Sequence, residues 1–339
     1  MSPQEALTRC IEHREIFHDE MLELMRQIMS GEMSPVMIAA ITTALRVKKE
    51  TIGEIAAAAQ VMREFATKVP VKDAGAVVDI VGTGGDGAHT FNVSTSSMFV
   101  CAAAGAKVAK HGGRSVSSKS GSADVLEALG VNLNLPPERI AECIDTVGIG
   151  FMFAPAFHPA MKYAAAPRRE IGIRTVFNIL GPLTNPAGAT AQVLGVAEEE
   201  LLDKMANVLG SLGCHYALVV HGNDGLDEIT ISDSTQVAEL KNGSIKRYVI
   251  SPEDFGLKRA AMSTLKGGTA QENAATLRRI LSGEPGPARD VVLLNAAAAL
   301  VAGDRVATLK EGVGLSQELI DSGKAEAKLE QLIKVSQSF

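Results

Sequence analysis

Apolar residues return at helical spacing through the first seventy positions, where Met21, Leu22, Met25, Ile28 and Met29 share one face. The stretches 35–47 and 52–67 are apolar around much of their circumference, the pattern of helices buried between neighbours or against a second subunit. Start signals agree with this reading. Ser2-x-x-Glu5 and Thr51-x-x-Glu54 read as capping boxes, and Ser34-Pro35 as an N-cap with a first-turn proline. Pro70 should stop the preceding helix, so 69–75 is expected to link a helical domain, residues 1–70, to an α/β domain, residues 71–339. From there short apolar runs suited to buried strands, Val77–Val81, Ala106–Lys110, Ile149–Phe153 and Tyr216–His221, alternate with helical stretches such as 137–146 and 201–212. Asn242-Gly243 predicts a hairpin, and the chain from Thr269 onward reads as mainly helical. The expected fold is a small N-terminal helical domain plus a larger α/β domain with a central, mostly parallel sheet flanked by helices.

Two glycine-rich loops carry the chemistry. The first, Gly82-Thr83-Gly84-Gly85-Asp86-Gly87, follows a strand and leads into Asn92-Val93-Ser94-Thr95 at the start of a helix. Glycines let backbone amides approach a ligand, and a helix N-terminus favours negative charge. The second, His111 to Gly121, follows the next strand and precedes a helix at Ser122-Ala123-Asp124. Parallel strands present their following loops at one sheet edge, so the pair is expected to face one pocket for a phosphorylated ligand. Gly82, Gly84 and Gly87 also satisfy the dinucleotide fingerprint G-x-G-x-x-G. That reading fits badly, because the next strand ends in Lys110-His111 instead of an acid for ribose hydroxyls, and Asp86 would repel a bare pyrophosphate.

Charge and composition narrow the partners. A net charge of −6 argues against a general nucleic-acid binder, while Lys107, Lys110, Arg114 and Lys119 form a local basic cluster suited to a small phosphorylated ligand. The apolar stretch Val291–Ala302 is interrupted by Asn295 and too short to span a bilayer, and the N-terminus lacks the blocks of a signal peptide, so a cytoplasmic protein without membrane or nucleic-acid partners is expected. The four cysteines lack metal or disulfide spacing and read as small buried residues. The vicinal acids Asp227 and Glu228 follow a buried strand. Carboxylates share a site with a diphosphate only when a cation lies between them, which is the case for Mg2+.

The two loops, together with Phe177-Asn178-Ile179-Leu180-Gly181-Pro182-Leu183-Thr184-Asn185-Pro186 and Asp227-Glu228, resemble the signatures of the anthranilate phosphoribosyltransferase family, in order and over nearly the whole chain. The resemblance implies transfer of the 5-phosphoribosyl group from 5-phosphoribosyl 1-diphosphate to the amino group of anthranilate, in tryptophan biosynthesis. It implies a homodimer formed through the helical domain, with a segment near 165–190 crossing into that domain. Donor binding would fall to Gly82, Gly85, Asp86, Thr90, Asn92, Val93, Ser94, Thr95, Lys110, His111, Gly112, Gly113, Arg114, Ser115, Val116, Ser117, Ser118 and Ser122. The acceptor would meet Gly82, His111, His158, Arg168, Gly181 and Pro182; Arg168 is identified by its place six residues before Arg174 of Gly-Ile-Arg-Thr. Mg2+, two ions per subunit, would be held by Asp227, Glu228 and the Ser94 hydroxyl. No residue is assigned as an essential acid or base, His111 being the nearest candidate. The family loop usually reads Lys-His-Gly-Asn-Arg, and Gly113 here replaces the asparagine. The alternatives are a pyrimidine nucleoside phosphorylase and a non-catalytic nucleic-acid-binding relative of the same fold.

Overall fold

The computed structural model describes residues 1–72, 77–114 and 119–339. Four helices open the chain, α1 (Pro3–Ile11), α2 (His18–Ser30), α3 (Pro35–Lys48) and α4 (Ile52–Phe65). The capping boxes at Ser2 and Thr51 both form, and the Ser34 hydroxyl accepts from the Met37 amide. Met21, Met25, Ile28 and Met29 are buried, whereas Leu22 is only partly covered. Helix α4 ends five residues short of Pro70. The chain turns extended at Ala66, and the amides of Thr67 and Val69 donate to the carbonyls of Phe157 and Pro186, so pairing with distant backbone ends the helix before the proline does.

The α/β part begins with β1 (Val77–Gly82), α5 (Val93–Ala103), β2 (Lys107–Gly112), α6 (Ser122–Ala128), α7 (Pro137–Thr146) and β3 (Ile149–Phe153). It continues through α8 (Ala154–Phe157), α9 (Lys162–Ile171), α10 (Val176–Leu180), β4 (Ala191–Gly195), α11 (Leu201–Ser211) and β5 (Tyr216–Gly222). The hairpin β6 (Thr235–Lys241) and β7 (Ser244–Ile250) precedes α12 (Ala270–Leu281), α13 (Pro287–Ala302), α14 (Leu309–Asp321) and α15 (Lys324–Gln337). Asn242 and Gly243 turn that hairpin with φ of 48° and 81°, the left-handed pair a two-residue turn needs.

The strands form one sheet in the order β3-β2-β1-β4-β5-β6-β7, parallel from β3 to β5 and antiparallel beyond. The winding direction reverses between β1 and β4, which opens a crevice at their carboxyl ends. Helices α5 and α13 pack together on one face, and α13 is buried along nearly its whole length. On the other face α11 packs on β5 and on α4, so one core joins Ile28, Ile41 and Ile55 to Leu194, Leu202 and Val219. Helix α9 packs on α3, and α10 on α4, which brings Ala164, Phe177 and Leu180 into that same core.

Two local readings are corrected. Strand β2 runs on through His111 and Gly112, in register with Met152 and Phe153, so both belong to the sheet and not to the loop. Residues 177–186, expected as an irregular loop, begin as α10, followed by a 3-10 turn at Gly181–Leu183. The Thr175 amide donating to Asn178 Oδ1 at 3.0 Å starts the helix, and the fixed φ of Pro182 suits the following turn.

Candidate active site

The first glycine loop, the start of α5 and the acids after β5 enclose a polar cavity of about 340 Å³, with Ser120 and Gly121 closing one side. Its placement follows from two glycines at strand ends. A Cβ on Gly82, which ends β1, or on Gly195, which ends β4, would collide with Asp227, so the acid loop crosses the switch point only because both positions are bare. Asp227 Oδ2 accepts from the Gly84 amide at 2.7 Å, and the Ser94 amide lies on the side of Glu228, where it favours the charged carboxylate. Burial, aided by Asp86 beside Asp227 and by the mutual repulsion of the pair, raises both carboxyls well above their ordinary range. Asn295 holds the next residue, taking the Ile229 amide on Oδ1 and donating to the Ile229 carbonyl, each at 2.9 Å.

Lys110 sits behind this cavity. Its ammonium donates to the Ile80 carbonyl at 2.6 Å and the Ser94 hydroxyl at 3.0 Å, and the side chain is 2% exposed. Burial lowers its pKa, while Asp79, Glu228 and Asp227 act to raise it. Asp79 is itself fully buried, held by Asn185 Nδ2 at 2.8 Å and pushed up to about 6 by desolvation. Lys110 thus supplies positive charge beneath the acids from below the cavity floor.

A second, mainly apolar cavity of about 670 Å³ lies at the ends of β2 and β3, lined by His111, Gly113, Phe153, His158, Arg168 and Gly181 among others. The rings of His111 and His158 stand 4.9 Å apart, and the Arg168 guanidinium lies 5.4 Å over Phe177. No carboxylate among the described residues pairs with Arg168, and burial lowers its pKa. His111 Nε2 and both nitrogens of His158 are buried without a partner among the described residues. Desolvation pulls His111 down to about 3 and His158 to about 4, so both are neutral at pH 7.

The residues expected to share one pocket therefore divide between two. Gly82, Gly85, Asp86, Thr90, Asn92, Val93 and Ser94 line the polar cavity, and His111, Gly113 and Arg114 the apolar one. Gly82 lies under Asp227, away from the acceptor side to which it was also assigned. Pro182 is buried with its carbonyl accepting from Gln192 Nε2 at 2.7 Å, so only Gly181 of that pair reaches the cavity. Thr95 is buried inside α5. Gly112 packs on Ser122, whose hydroxyl reaches the Gly113 carbonyl at 3.5 Å, a bond that shapes the strand end. Arg114 pairs with Asp124 at 2.7 Å and Glu127 at 2.9 Å. Ser115, Val116, Ser117 and Ser118 lie outside the described residues. Arg174, offered by the sequence only as a reference point for Arg168, covers Gly85 and reaches the Thr83 carbonyl at 3.4 Å.

The acid pair fits a hard divalent cation. The donors are oxygens, burial and neighbouring carboxylates raise both carboxyls despite Arg174 and Lys110 nearby, and Ser94 stands beside Glu228. No group of three or more His, Cys, Asp or Glu among the described residues surrounds a single metal point. This suits an ion that completes its shell with substrate oxygens and water.

A polar, glycine-lined cavity at the switch point, with an apolar cavity bordered by helices α4 and α9, is the build of a two-domain glycosyltransferase. Family models described as the a/b domain and the helical bundle domain of the glycosyl transferase family match residues 74–326 and 4–66. An anthranilate phosphoribosyltransferase from a Polaromonas species is 60% identical over 339 residues, covering 100% of this chain and 98% of that protein. The crystal structure of the Thermus thermophilus enzyme matches with a TM-score of 0.93 and 48% identity, over 98% of this chain and 99% of that one. The Saccharomyces cerevisiae enzyme in complex with PRPP and Mg matches with a TM-score of 0.85 and 31% identity, over 95% and 93% of the two chains. The chain belongs to the anthranilate phosphoribosyltransferase family.

Proposed function

We propose that this enzyme transfers the 5-phosphoribosyl group of 5-phosphoribosyl 1-diphosphate to the amino group of anthranilate, releasing diphosphate and N-(5-phosphoribosyl)anthranilate for tryptophan synthesis. The observation that carries the reading is the adjacency of two unlike cavities, one polar with a buried acid pair, the other apolar with a half-buried arginine. Mg2+, when bound, neutralises the departing diphosphate. Asp227, Glu228 and Ser94 would hold it, with two ions per subunit.

An arylamine is a weak nucleophile, so the ribosyl carbon must develop positive charge as its bond to diphosphate breaks. Positioning and charge stabilisation then dominate over proton transfer. The glycine loop and the start of α5 cradle the phosphoryl oxygens. Arg168 offers forked donors to the anthranilate carboxylate, and the Phe177 and Phe153 side excludes water that would hydrolyse the donor. His111 and His158, neutral and weakly basic, can accept from the amine and orient it, but cannot draw its proton strongly.

The same proposal includes a homodimer through the helical domain, supported by the exposed side chains of Ile11, Val36 and Val47 on α1 and α3. It also includes a cytoplasmic location, supported by four cysteines that are all unpaired. No helix among the described residues is long and apolar enough to cross a membrane. The direct test mixes protein, both substrates and Mg2+ and follows the loss of anthranilate fluorescence. Consumption should stop with EDTA; full activity in EDTA would remove the metal role of the acid pair, and no consumption at all would remove the reaction.

A further inference from the structure

Asn273, near the start of α12, is 4% exposed and uses its whole amide on the border of the polar cavity. Its Oδ1 accepts from the Gly268 amide at 2.7 Å, while Nδ2 donates to Asn92 Oδ1 at 3.0 Å and to the Ser120 hydroxyl at 2.8 Å. Those partners end three separate segments: the first glycine loop, the second, and a strap at 265–268. The strap lies along the first loop, with the Phe91 amide donating to Leu265 and the Gly267 amide to His89, and Gly267 is bare because a Cβ there would stand 2.6 Å from the Thr90 carbonyl.

The consequence falls on α5. An asparagine at an N-cap position ordinarily accepts from an amide of the first turn with its own side chain. Asn92 occupies that position and makes no such bond, because its Oδ1 is taken by Asn273. The Ser94 amide is left uncapped on the side of Glu228, where it favours the charged carboxylate. A released Asn92 side chain would compete with Glu228 for the amides at the head of α5.

We propose that Asn273 is a positioning residue for the phosphoribosyl donor, which holds Asn92 back from capping α5 and so keeps the α5 amides turned to Glu228 and the polar cavity. The donor's identity rests on the function proposed above. Asn92, Ser120 and Gly268, the three residues that Asn273 holds, do not line the acceptor cavity, so the effect is expected on the donor side.

Asn273→Ala and Asn273→Asp test this in the full chain. The aspartate keeps the acceptor for Gly268 and nearly the same shape, but has no hydrogen for Asn92 Oδ1, while the Ser120 hydroxyl can turn to donate to it. The KM for 5-phosphoribosyl 1-diphosphate and the Kd for inorganic diphosphate with Mg2+, read by calorimetry, should rise roughly tenfold in Asn273→Ala, which loses both bonds, and by about 2- to 13-fold in Asn273→Asp, which loses the bond to Asn92, with the KM for anthranilate unchanged in both. A merely structural role would lower the melting temperature and the active fraction without splitting the two KM values. Proportional rises in both KM values, or unchanged diphosphate binding in a folded aspartate variant, would overturn the proposal. Should the wild type consume no anthranilate, the function reading fails, and the diphosphate comparison still decides the role of Asn273; a wild type that binds no diphosphate overturns both.

Discussion

Gly113→Asn restores the side chain usual in the family, and the structure fixes what it should do. Gly113 lines the apolar cavity, its backbone lies outside the left-handed region, and a Cβ there meets nothing within 4 Å among the described residues. Neither strain nor collision therefore opposes the change. The neighbouring Arg114 is held by Asp124 and Glu127, so the introduced amide has little tendency to draw it inward. One net hydrogen bond between neutral groups is worth about 0.5–1.5 kcal/mol, which lowers the anthranilate KM by about 2- to 13-fold. Steady-state titration of each substrate at saturating levels of the other measures it. The donor KM should stay within a factor of about two, because Gly113 itself does not line the polar cavity. A weaker donor without any gain for the acceptor would refute the reasoning, and would mean that glycine serves the backbone shape of the second loop.

Other outcomes follow from the same geometry. Arg168→Ala should lower kcat/KM for anthranilate by about 10- to 150-fold, the cost of a charged hydrogen bond, and leave donor binding nearly unchanged. Asn295→Ala strands the buried Ile229 amide and should destabilise the protein by about 1–3 kcal/mol in urea titration, with a weaker response to Mg2+ because Glu228 is the adjacent residue. His111 and His158 titrate at about 3 and about 4 when folded and near 6.5 when unfolded, so the unfolded chain takes up protons first as pH falls. Their contribution is intact above about pH 6.5 and is lost progressively toward pH 3. His111 is further depressed by His158 and Lys110, and His158 by Lys68. The raised carboxyls of Asp227 and Glu228 give the opposite slope, so the histidine share is read as the difference between wild type and His158→Asn in denaturant melts from pH 7.5 to 4.5.

The elements were legible wherever local signals and burial agreed. The caps at Ser2, Ser34 and Thr51, the strands, and the Asn242-Gly243 turn each follow from a few neighbouring residues. What local pattern could not carry was any feature set by distant backbone. Helix α4 ends where Phe157 and Pro186 take the amides of Thr67 and Val69 just beyond it, and β2 runs past His111 because Met152 and Phe153 lie alongside. The site shows the same division. Residue types announced a phosphate cradle and an acid pair, but Gly195 gave no sign that it clears the path of Asp227, and Lys110 read as a ligand-facing cation until its burial under β1 was visible. Asn295 did give a signal, as the polar break in an apolar helix, and the structure supplies its reason.

The division of the site into two cavities also explains why a helical bundle accompanies the sheet. The polar cavity is made by the end of β1 and the loop after it, the start of α5, the acids after β5, and Ser120 and Gly121, all from the α/β part. The acceptor cavity is shared: His111 and Gly113 come from the sheet edge, whereas Met62 comes from α4 and Arg168 from α9, which packs on α2 and α3. The distance between the anthranilate amine and the ribosyl carbon therefore depends on how these bodies meet. At that joint Arg63 of α4 donates to the Leu183 carbonyl at 2.7 Å and the Leu212 carbonyl at 3.0 Å, tying the bundle to the turn that carries Gly181. Where catalysis rests on placing two substrates and little on proton transfer, a half-buried arginine whose partners among the described residues are carbonyls across such a joint bears on the rate without touching either substrate.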